Sequence, residues 1–237
     1  MASPIVVFDL DGTLVDTAED IIGSINSIFV KRGIPEFTLG SRKGLVSAGG
    51  RVLIKAGLTD AGLMYSDHEI EIMFQEFICN YTENVAIRSR LYPGVENVLQ
   101  QLRDNGYTLA ICTNKSFQPA CKLLKRLGIF DFFNAVCGND SFPWPKPDPR
   151  ALLSTIKQAD GDQSRSVMIG DTKIDIETAK RAGIPVIAVD FGYSDEPLEG
   201  LKPDYIISHF DSLLTYLELI LFQYRPDQAR FIMLHGS

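Results

Sequence analysis

The chain has 237 residues, a formal net charge of −7 and 45% hydrophobic residues, a length that can bury a sizeable core without disulfides or a structural metal. The balance of 30 Asp and Glu against 23 Lys and Arg argues against nucleic acid or an anionic membrane as the main partner. The N-terminus lacks a basic signal region, no run of about 18 apolar residues occurs, and the four cysteines lack metal-site spacing. The sequence therefore predicts a soluble cytoplasmic protein.

Short apolar runs that stop at polar residues or glycine predict the strands. Their nearly continuous hydrophobicity is typical of strands buried on both faces of a parallel sheet. The predicted strands are 5–8, 109–112, 135–137, 167–169, 186–189 and 205–207, and the helical patterns between them are 95–104, 119–127, 149–158, 174–181 and 213–221. Strands that alternate with helices of this length predict an α/β fold with a doubly wound, Rossmann-like parallel sheet.

The stretch between residues 16 and 90 interrupts this alternation. It carries helical patterns at 18–31, 42–56 and 67–84, separated by glycines and a proline, and it has no convincing strand. We therefore expect an inserted all-α subdomain at residues 16–90, with an α/β core formed by residues 1–15 and 91–237.

Polar residues follow four of the predicted strands. Ligands of open α/β sheets bind outside the carboxyl ends of the strands, so these residues are expected to meet at one edge. They are Asp9, Asp11 and Thr13 after the first strand, Thr113, Asn114 and Lys115 after the second, Lys146 in the loop after the third, and Asp171, Thr172 and Asp175 after the fourth.

Carboxylates that meet at one edge repel each other unless a cation lies between them. Mg²⁺ prefers oxygen ligands and commonly binds one or two carboxylates together with phosphate oxygens. Lys146 and Thr113 are suited to bind that phosphate by charge and by hydrogen bonding. Each motif alone also fits a plain turn or a solvated loop, but their common position predicts Mg²⁺-assisted phosphoryl transfer.

Four segments resemble, in chain order, the four motifs of the haloacid dehalogenase-like (HAD) phosphohydrolase superfamily. They are Asp-Leu-Asp-Gly-Thr at 9–13, Thr-Asn at 113–114, Lys146 before a proline, and Gly-Asp-Thr at 170–172 followed by Asp175. The resemblance covers the whole α/β core. It implies the HAD fold, with residues 16–90 as a small helical cap.

The resemblance also implies the catalytic roles. Asp9 would be the nucleophile that forms an aspartyl-phosphate. Asp11 would be the general acid for the leaving oxygen and then the base for the attacking water. Thr113, Asn114 and Lys146 would bind the phosphate.

The metal ligands follow from the same resemblance. Asp9, Asp171 and the main-chain carbonyl of Asp11 would hold Mg²⁺, and Asp175 would support the metal or Lys146. An aspartate at position 11 suits the cleavage of an alkyl phosphate, because its poor leaving group needs a proton.

Substrate specificity is expected to come from the inserted helices, which would close over the strand ends. Residues 41–54 contain two adjacent glycines, with Arg42, Lys43, Ser47 and Arg51 around them. These four are candidates for binding an acidic group of the substrate, and we assign Arg51 to substrate binding; a solvated helix face is the alternative for each. This stretch, Lys146 between two prolines, and Phe-Gly-Tyr-Ser at 191–194 resemble the bacterial phosphoglycolate phosphatases.

The expected function is Mg²⁺-dependent hydrolysis of a small anionic phosphomonoester, with 2-phosphoglycolate as the first choice and glycolate and phosphate as products. A β-phosphoglucomutase-like isomerase, a pyrophosphatase and a nucleotidase remain open, because they share the core. A non-enzymatic phospho-aspartate regulatory module is a remoter alternative, since it would need neither Asp11 nor the long insertion. The expected partner is a small phosphate ester, and the sequence indicates no oligomeric state.

Overall fold

A parallel sheet of six strands lies at the centre of the fold in the computed structural model, which describes residues 3–223. The strands, including two short ones outside this sheet, are β1 (Ile5–Phe8), β2 (Val15–Asp16), β3 (Arg90–Leu91), β4 (Thr108–Cys112), β5 (Ala135–Cys137), β6 (Ser166–Gly170), β7 (Val186–Val189) and β8 (Tyr205–Ile207). The helices are α1 (Ala18–Lys31), α2 (Leu45–Ala48), α3 (Gly50–Asp60), α4 (Asp67–Asn84), α5 (Val95–Asp104), α6 (Phe117–Arg126), α7 (Pro149–Gln158), α8 (Lys173–Ala182), α9 (Leu198–Leu201) and α10 (Leu213–Gln223).

The strand order is β5-β4-β1-β6-β7-β8. This order confirms the predicted doubly wound parallel sheet, and all six predicted strands are present. β1 pairs with β4 on one side and with β6 on the other, so the chain reverses its direction across the sheet at β1. Such a switch point leaves a crevice at the carboxyl ends of the strands, where ligands of open α/β sheets bind.

Both faces of the sheet are covered by helices, because alternate strand residues point to opposite sides. In β1, Val6 and Phe8 pack into one apolar cluster with residues of α5, α6 and α10. Ile5 and Val7 pack into a second cluster with residues of α7, α8 and α9. These two layers account for the uninterrupted hydrophobicity of the strands.

The segment between β2 and β3 contains α1 to α4. The helices predicted at 18–31 and 67–84 are confirmed, whereas the single helix predicted at 42–56 is wrong. Gly49 has a φ of 98°, which an α-helix does not accommodate, so the chain forms α2 and α3 on either side of it. A side chain on Gly50 would meet the Phe77 ring at 2.6 Å, so this glycine lets α3 begin against α4.

A short antiparallel ladder joins the two ends of this helical segment. Val15 pairs with Leu91, and Asp16 pairs with Arg90. The sequence indicated no strand here, because two residues are too few to show a hydrophobic period. The tail at residues 224–237, included in the expected core, lies outside the described residues. Within residues 3–223, no helix has both the length and the apolar character that a membrane span needs.

Candidate active site

Three carboxylates cluster at the carboxyl ends of β1 and β6. Asp9 follows β1, Asp171 follows β6, and Asp175 lies in the first turn of α8. One oxygen from each lies within 4.8 Å of one from each of the others, and all three residues are buried. The switch point of the sheet therefore holds a dense acidic cluster.

Gly12 allows this cluster to pack closely. It has a φ of 88°, a conformation that favours glycine, and a Cβ at this position would collide with the Asp171 carboxylate. Asp171 in turn accepts hydrogen bonds from Thr13 Oγ1 at 2.8 Å and from the Tyr193 N–H at 2.7 Å. The turn after β1 thus fixes the orientation of the β6 carboxylate.

Lys146 provides the positive charge beside the cluster. Its Nζ lies 2.6 Å from Asp175 Oδ1 and 2.9 Å from Asp9 Oδ1. Asn114 donates a hydrogen bond to the Lys146 carbonyl at 3.1 Å, while Asp175 also accepts from the N–H and hydroxyl of Thr172. Asn114 therefore holds the main chain of Lys146, and Asp175 holds its ammonium group. Thr113 lies next to Asn114 and lines the cavity described below.

The site carries excess negative charge. Four buried carboxylates, with side chains at most 8% exposed, lie here: Asp9, Asp11, Asp171 and Asp175. They face two ammonium groups, that of Lys146 at 2% exposure and that of Lys115 at 6%. Burial raises the pKa of Asp9 to about 6, although Lys146 opposes the shift. Burial, together with Asp175 and Asp9, also raises the pKa of Asp171 well above its usual value. Without a further cation, ionisation of these carboxyls is unfavourable.

A divalent cation fits this arrangement. Asp9 Oδ1 is buried and accepts no hydrogen bond from any of the described residues, although the Lys146 ammonium lies near it. Hard cations take carboxylate oxygens as ligands, and one divalent ion would neutralise the two uncompensated charges. Asp9 and Asp171 are the carboxylates that could hold it, and Asp175, whose oxygens are bonded to Lys146 and Thr172, lies beside them.

Asp11 is held differently from the other carboxylates. Lys115 Nζ lies 2.8 Å and 2.9 Å from its two oxygens, and Thr17 Oγ1 donates to Oδ1 at 2.6 Å. No role was predicted for Lys115 from the sequence, although it directly follows Thr113 and Asn114 at the end of β4. Burial alone would lower the pKa of Lys115, but Asp11 keeps it raised, so the Lys115 ammonium stays charged.

Tyr193 is a second residue whose role the sequence did not indicate. Its hydroxyl donates to Asp16 Oδ1 at 2.7 Å and accepts from the N–H groups of Thr17 at 2.7 Å and Ala18 at 3.0 Å. The Thr17 side chain bonds to Asp11 and not to the start of its own helix, so the Tyr193 hydroxyl caps α1 in its place. The loop that orients Asp171 therefore also anchors the first helix of the inserted segment.

Tyr193→Phe is expected to lower the free energy of unfolding by about 2 kcal/mol, because it removes the acceptor of the Thr17 N–H and the closer of the two acceptors of the Ala18 N–H at the start of α1. Thermal unfolding measures this loss. Tyr205→Phe on the edge strand β8 is the matched control and should change the melting temperature far less. Equal stability of the two variants would show that the hydroxyl does not anchor α1.

A small cavity connects these groups to the inserted helices. It encloses about 40 Å³, room for only a few water-sized groups. Asp9, Asp11, Thr113, Asn114 and Lys115 line it from the sheet, and Val46, Ser47, Gly49, Gly50, Leu53, Phe74, Phe77 and Tyr81 are among the residues that line it from α2 to α4. The structure thus brings the strand ends and the inserted helices together around one space.

Arg51 is a predicted site residue that lies neither on this cavity nor in the buried cluster of carboxylates and Lys146. Its guanidinium forms an ion pair with Glu71 at 2.7 Å and lies 3.5 Å from the centroid of the Phe74 ring. Both partners of the ion pair are nearly half exposed. In the described residues Arg51 therefore lies on the outer side of α3. This position fits the alternative interpretation, a basic residue on a solvated helix face.

Comparisons with known proteins agree with this geometry. A family model for haloacid dehalogenase-like hydrolases matches residues 6–189. The chain belongs to this family. The phosphoglycolate phosphatase of Mesorhizobium japonicum is 42% identical over 217 residues, which are 92% of this chain and 96% of that protein. The phosphoglycolate phosphatase of Agrobacterium fabrum is 41% identical over 215 residues, 91% of this chain and 92% of the other.

A solved structure gives the same result for the haloacid dehalogenase-like fold. The crystal structure of a predicted phosphoglycolate phosphatase from Haemophilus somnus superimposes with a TM-score of 0.83 at 30% identity, covering 90% of this chain and 97% of the other. The resemblance inferred from the four motifs is therefore confirmed at the level of the family and the fold.

Proposed function

We propose that this protein is a Mg²⁺-dependent phosphatase that hydrolyses a small anionic phosphomonoester, with 2-phosphoglycolate as the substrate. The observation that carries the proposal is the placement of Asp9 and Asp11 on one cavity, beside two lysines that neutralise different members of the acidic cluster. Two relatives that are 41–42% identical over nine-tenths of the chain are named phosphoglycolate phosphatase, which supports the choice of substrate.

Asp9 is the proposed nucleophile. Its carboxylate attacks phosphorus, an Asp9–phosphorus bond forms, and the bond from phosphorus to the ester oxygen breaks. Asp11 gives its proton to that oxygen as it leaves. Water then attacks the aspartyl-phosphate while Asp11 takes a proton from it, which releases phosphate and restores Asp9. Splitting one displacement into two easier steps is the general advantage of covalent catalysis.

The other site residues bind and orient the phosphate. Lys146, held by Asp175 and Asn114, places a fixed positive charge beside Asp9, and Thr113 offers a hydroxyl at the end of β4. Asp9, Asp171 and the Asp11 carbonyl would hold Mg²⁺, with Asp175 supporting them. When bound, the metal supplies neutralisation of the charge on the phosphate oxygens.

The inserted helices are the proposed cap of residues 16–90 on a core of residues 1–15 and 91–237. Both the core and the inserted helices line the cavity, so we infer that the cap opens for binding and closes for chemistry. The ladder of β2 and β3 and the Tyr193 hydroxyl lie where the two parts join, which makes this junction the place where such a motion is controlled.

Phosphate release in the presence of Mg²⁺ tests the proposal. The panel contains 2-phosphoglycolate, β-glucose 1-phosphate, pyrophosphate and nucleoside monophosphates. We expect kcat/KM for 2-phosphoglycolate to exceed the others by about tenfold or more, equivalent to roughly 1.4 kcal/mol of transition-state binding. Conversion of β-glucose 1-phosphate into an isomer without phosphate release would identify a mutase and refute the phosphatase proposal.

A further inference from the structure

The proposed chemistry gives Lys115 no role beyond its pairing with Asp11. Its side chain is 6% exposed, it lines the cavity, and its Nζ bonds to both oxygens of Asp11. An ammonium group has three N–H donors, and Asp11 accounts for two of them. Nζ also lies 4.4 Å from the centroid of the Tyr81 ring, on the side of the inserted helices.

Two hydroxyl groups of the inserted helices line the same cavity. Ser47 lies on α2 and is 8% exposed, and Tyr81 lies on α4 and is 1% exposed. Neither Ser47 Oγ nor the Tyr81 hydroxyl has a hydrogen-bond partner among residues 3–223. Leaving a buried hydroxyl unpaired is unfavourable, so a pair of them beside one cavity points to a ligand that supplies acceptors.

The walls around these donors are apolar. Leu53, Phe74 and Phe77 complete the cavity on this side, and a Cβ on Gly50 would touch the Phe77 ring. In such surroundings an ammonium and two hydroxyls bind an anionic acceptor with two oxygens far better than a neutral group. A carboxylate has this chemistry.

The position of Lys115 relative to Asp11 independently indicates a carboxylate. In 2-phosphoglycolate the ester oxygen and the carboxylate are on neighbouring carbon atoms. The group that protonates the ester oxygen and the group that binds the carboxylate must therefore be adjacent. Asp11 and Lys115 are adjacent, at 2.8 Å.

We propose that Lys115, Ser47 and Tyr81 form the subsite that binds the carboxylate of the substrate's leaving group. The inference rests on the proposed phosphatase function and adds its source of specificity. Lys115 contributes charge from the core, and the two hydroxyls contribute hydrogen bonds from the inserted helices. The carboxylate thereby links both parts of the protein, so a substrate with this tail draws the helices over the site.

The test compares 2-phosphoglycolate with 2-phosphoglycolamide, which replaces the carboxylate by a neutral amide of similar size. We expect the unmodified protein to favour the carboxylate by about 30-fold in kcat/KM, and Lys115→Met to reduce this ratio to about threefold or less. Lys125→Met removes an exposed lysine of α6 and should keep the ratio. A Lys115→Met variant that loses both activities equally would show that Lys115 only positions Asp11, which would overturn the subsite.

Two conservative variants keep the test valid if Lys115→Met fails to fold. Tyr81→Phe and Ser47→Ala each remove one hydroxyl, and each should lower the ratio by about three- to tenfold. Unchanged ratios in both would refute their part in the subsite. A ratio near one in the unmodified protein would overturn the subsite while leaving the phosphatase proposal intact.

A binding experiment separates the subsite from the reaction. Calorimetry with Asp9→Asn and Mg²⁺ measures the affinity for both compounds without turnover. Tighter binding of 2-phosphoglycolate by about tenfold or more, lost in the double variant with Lys115→Met, supports the subsite even if the unmodified protein hydrolyses neither compound and the proposed reaction fails. Equal affinities would overturn the subsite.

Discussion

Asp9→Asn is expected to reduce kcat by about 10⁴-fold or more. The amide keeps the size of the side chain and its carbonyl oxygen, so the packing beside Lys146 is retained. It removes the negative charge and the nucleophilic oxygen pair on which the proposed first step depends. Phosphate release from 2-phosphoglycolate in the presence of Mg²⁺ is the measurement.

The fold of this variant must be checked independently, because Asp9 is buried beside two other carboxylates. We expect its thermal stability without metal to equal or exceed that of the unmodified protein, since one unfavourable buried charge is gone. Asp67→Asn is the control and should keep full activity, because the Asp67 side chain is 93% exposed and forms an ion pair with Lys55. Residual turnover above about one per cent with a native fold would rule out Asp9 as the nucleophile.

The parts of the site that the sequence indicates are those set by local chain geometry. Asp9 and Asp171 each follow a buried strand directly, so the end of an apolar run was enough to locate them. The parallel arrangement of β1 and β6 then brings them together without further information. Lys146 lies in a longer loop and was found through its neighbouring prolines and the family motif.

Contacts between distant parts of the chain were not predictable in this way. Lys115 and Asp11 are 104 positions apart, and Tyr193 and Asp16 are 177 apart. The adjacent strands β1 and β4 bring Lys115 to the same edge as Asp11, but the spacing does not indicate which carboxylate the lysine meets. The contact of Tyr193 depends on how the loop after β7 lies against the start of α1, which no period or spacing records. Arg51 shows the converse, because its charge suggested a ligand contact while its partner, Glu71, is supplied by a neighbouring helix.

Asp171→Asn is expected to abolish Mg²⁺ binding and to make the metal-free protein more stable. The amide can accept from the Tyr193 N–H through its oxygen and donate to the Thr13 hydroxyl through its nitrogen, so both hydrogen bonds at this position are preserved. The buried negative charge is lost. We expect a gain in the free energy of unfolding on the order of 1–2 kcal/mol at neutral pH without metal, and a loss of kcat of about 10³-fold.

The stability of the metal-free protein should change with pH in a direction that the pKa shifts determine. Burial raises the folded-state pKa of Asp9 from 3.8 to about 6 and raises that of Asp171. Between the unfolded and folded pKa values the folded state binds more protons, so the metal-free protein gains stability as the pH falls through about 6 towards 4. The advantage of Asp171→Asn over the unmodified protein should therefore shrink over this range.

Thermal unfolding with and without Mg²⁺, at pH 5 and pH 7.5, checks both parts. Mg²⁺ should raise the melting temperature of the unmodified protein more at pH 7.5, because protons compete for the same carboxylates at pH 5. It should not raise that of Asp171→Asn, and Asp67→Asn should respond like the unmodified protein. A metal-free Asp171→Asn protein that is less stable at neutral pH would mean that the carboxylate stabilises the fold directly. In the proposed site the Asp171 charge is unfavourable without metal, because it is buried beside the other carboxylates, and a bound cation offsets it.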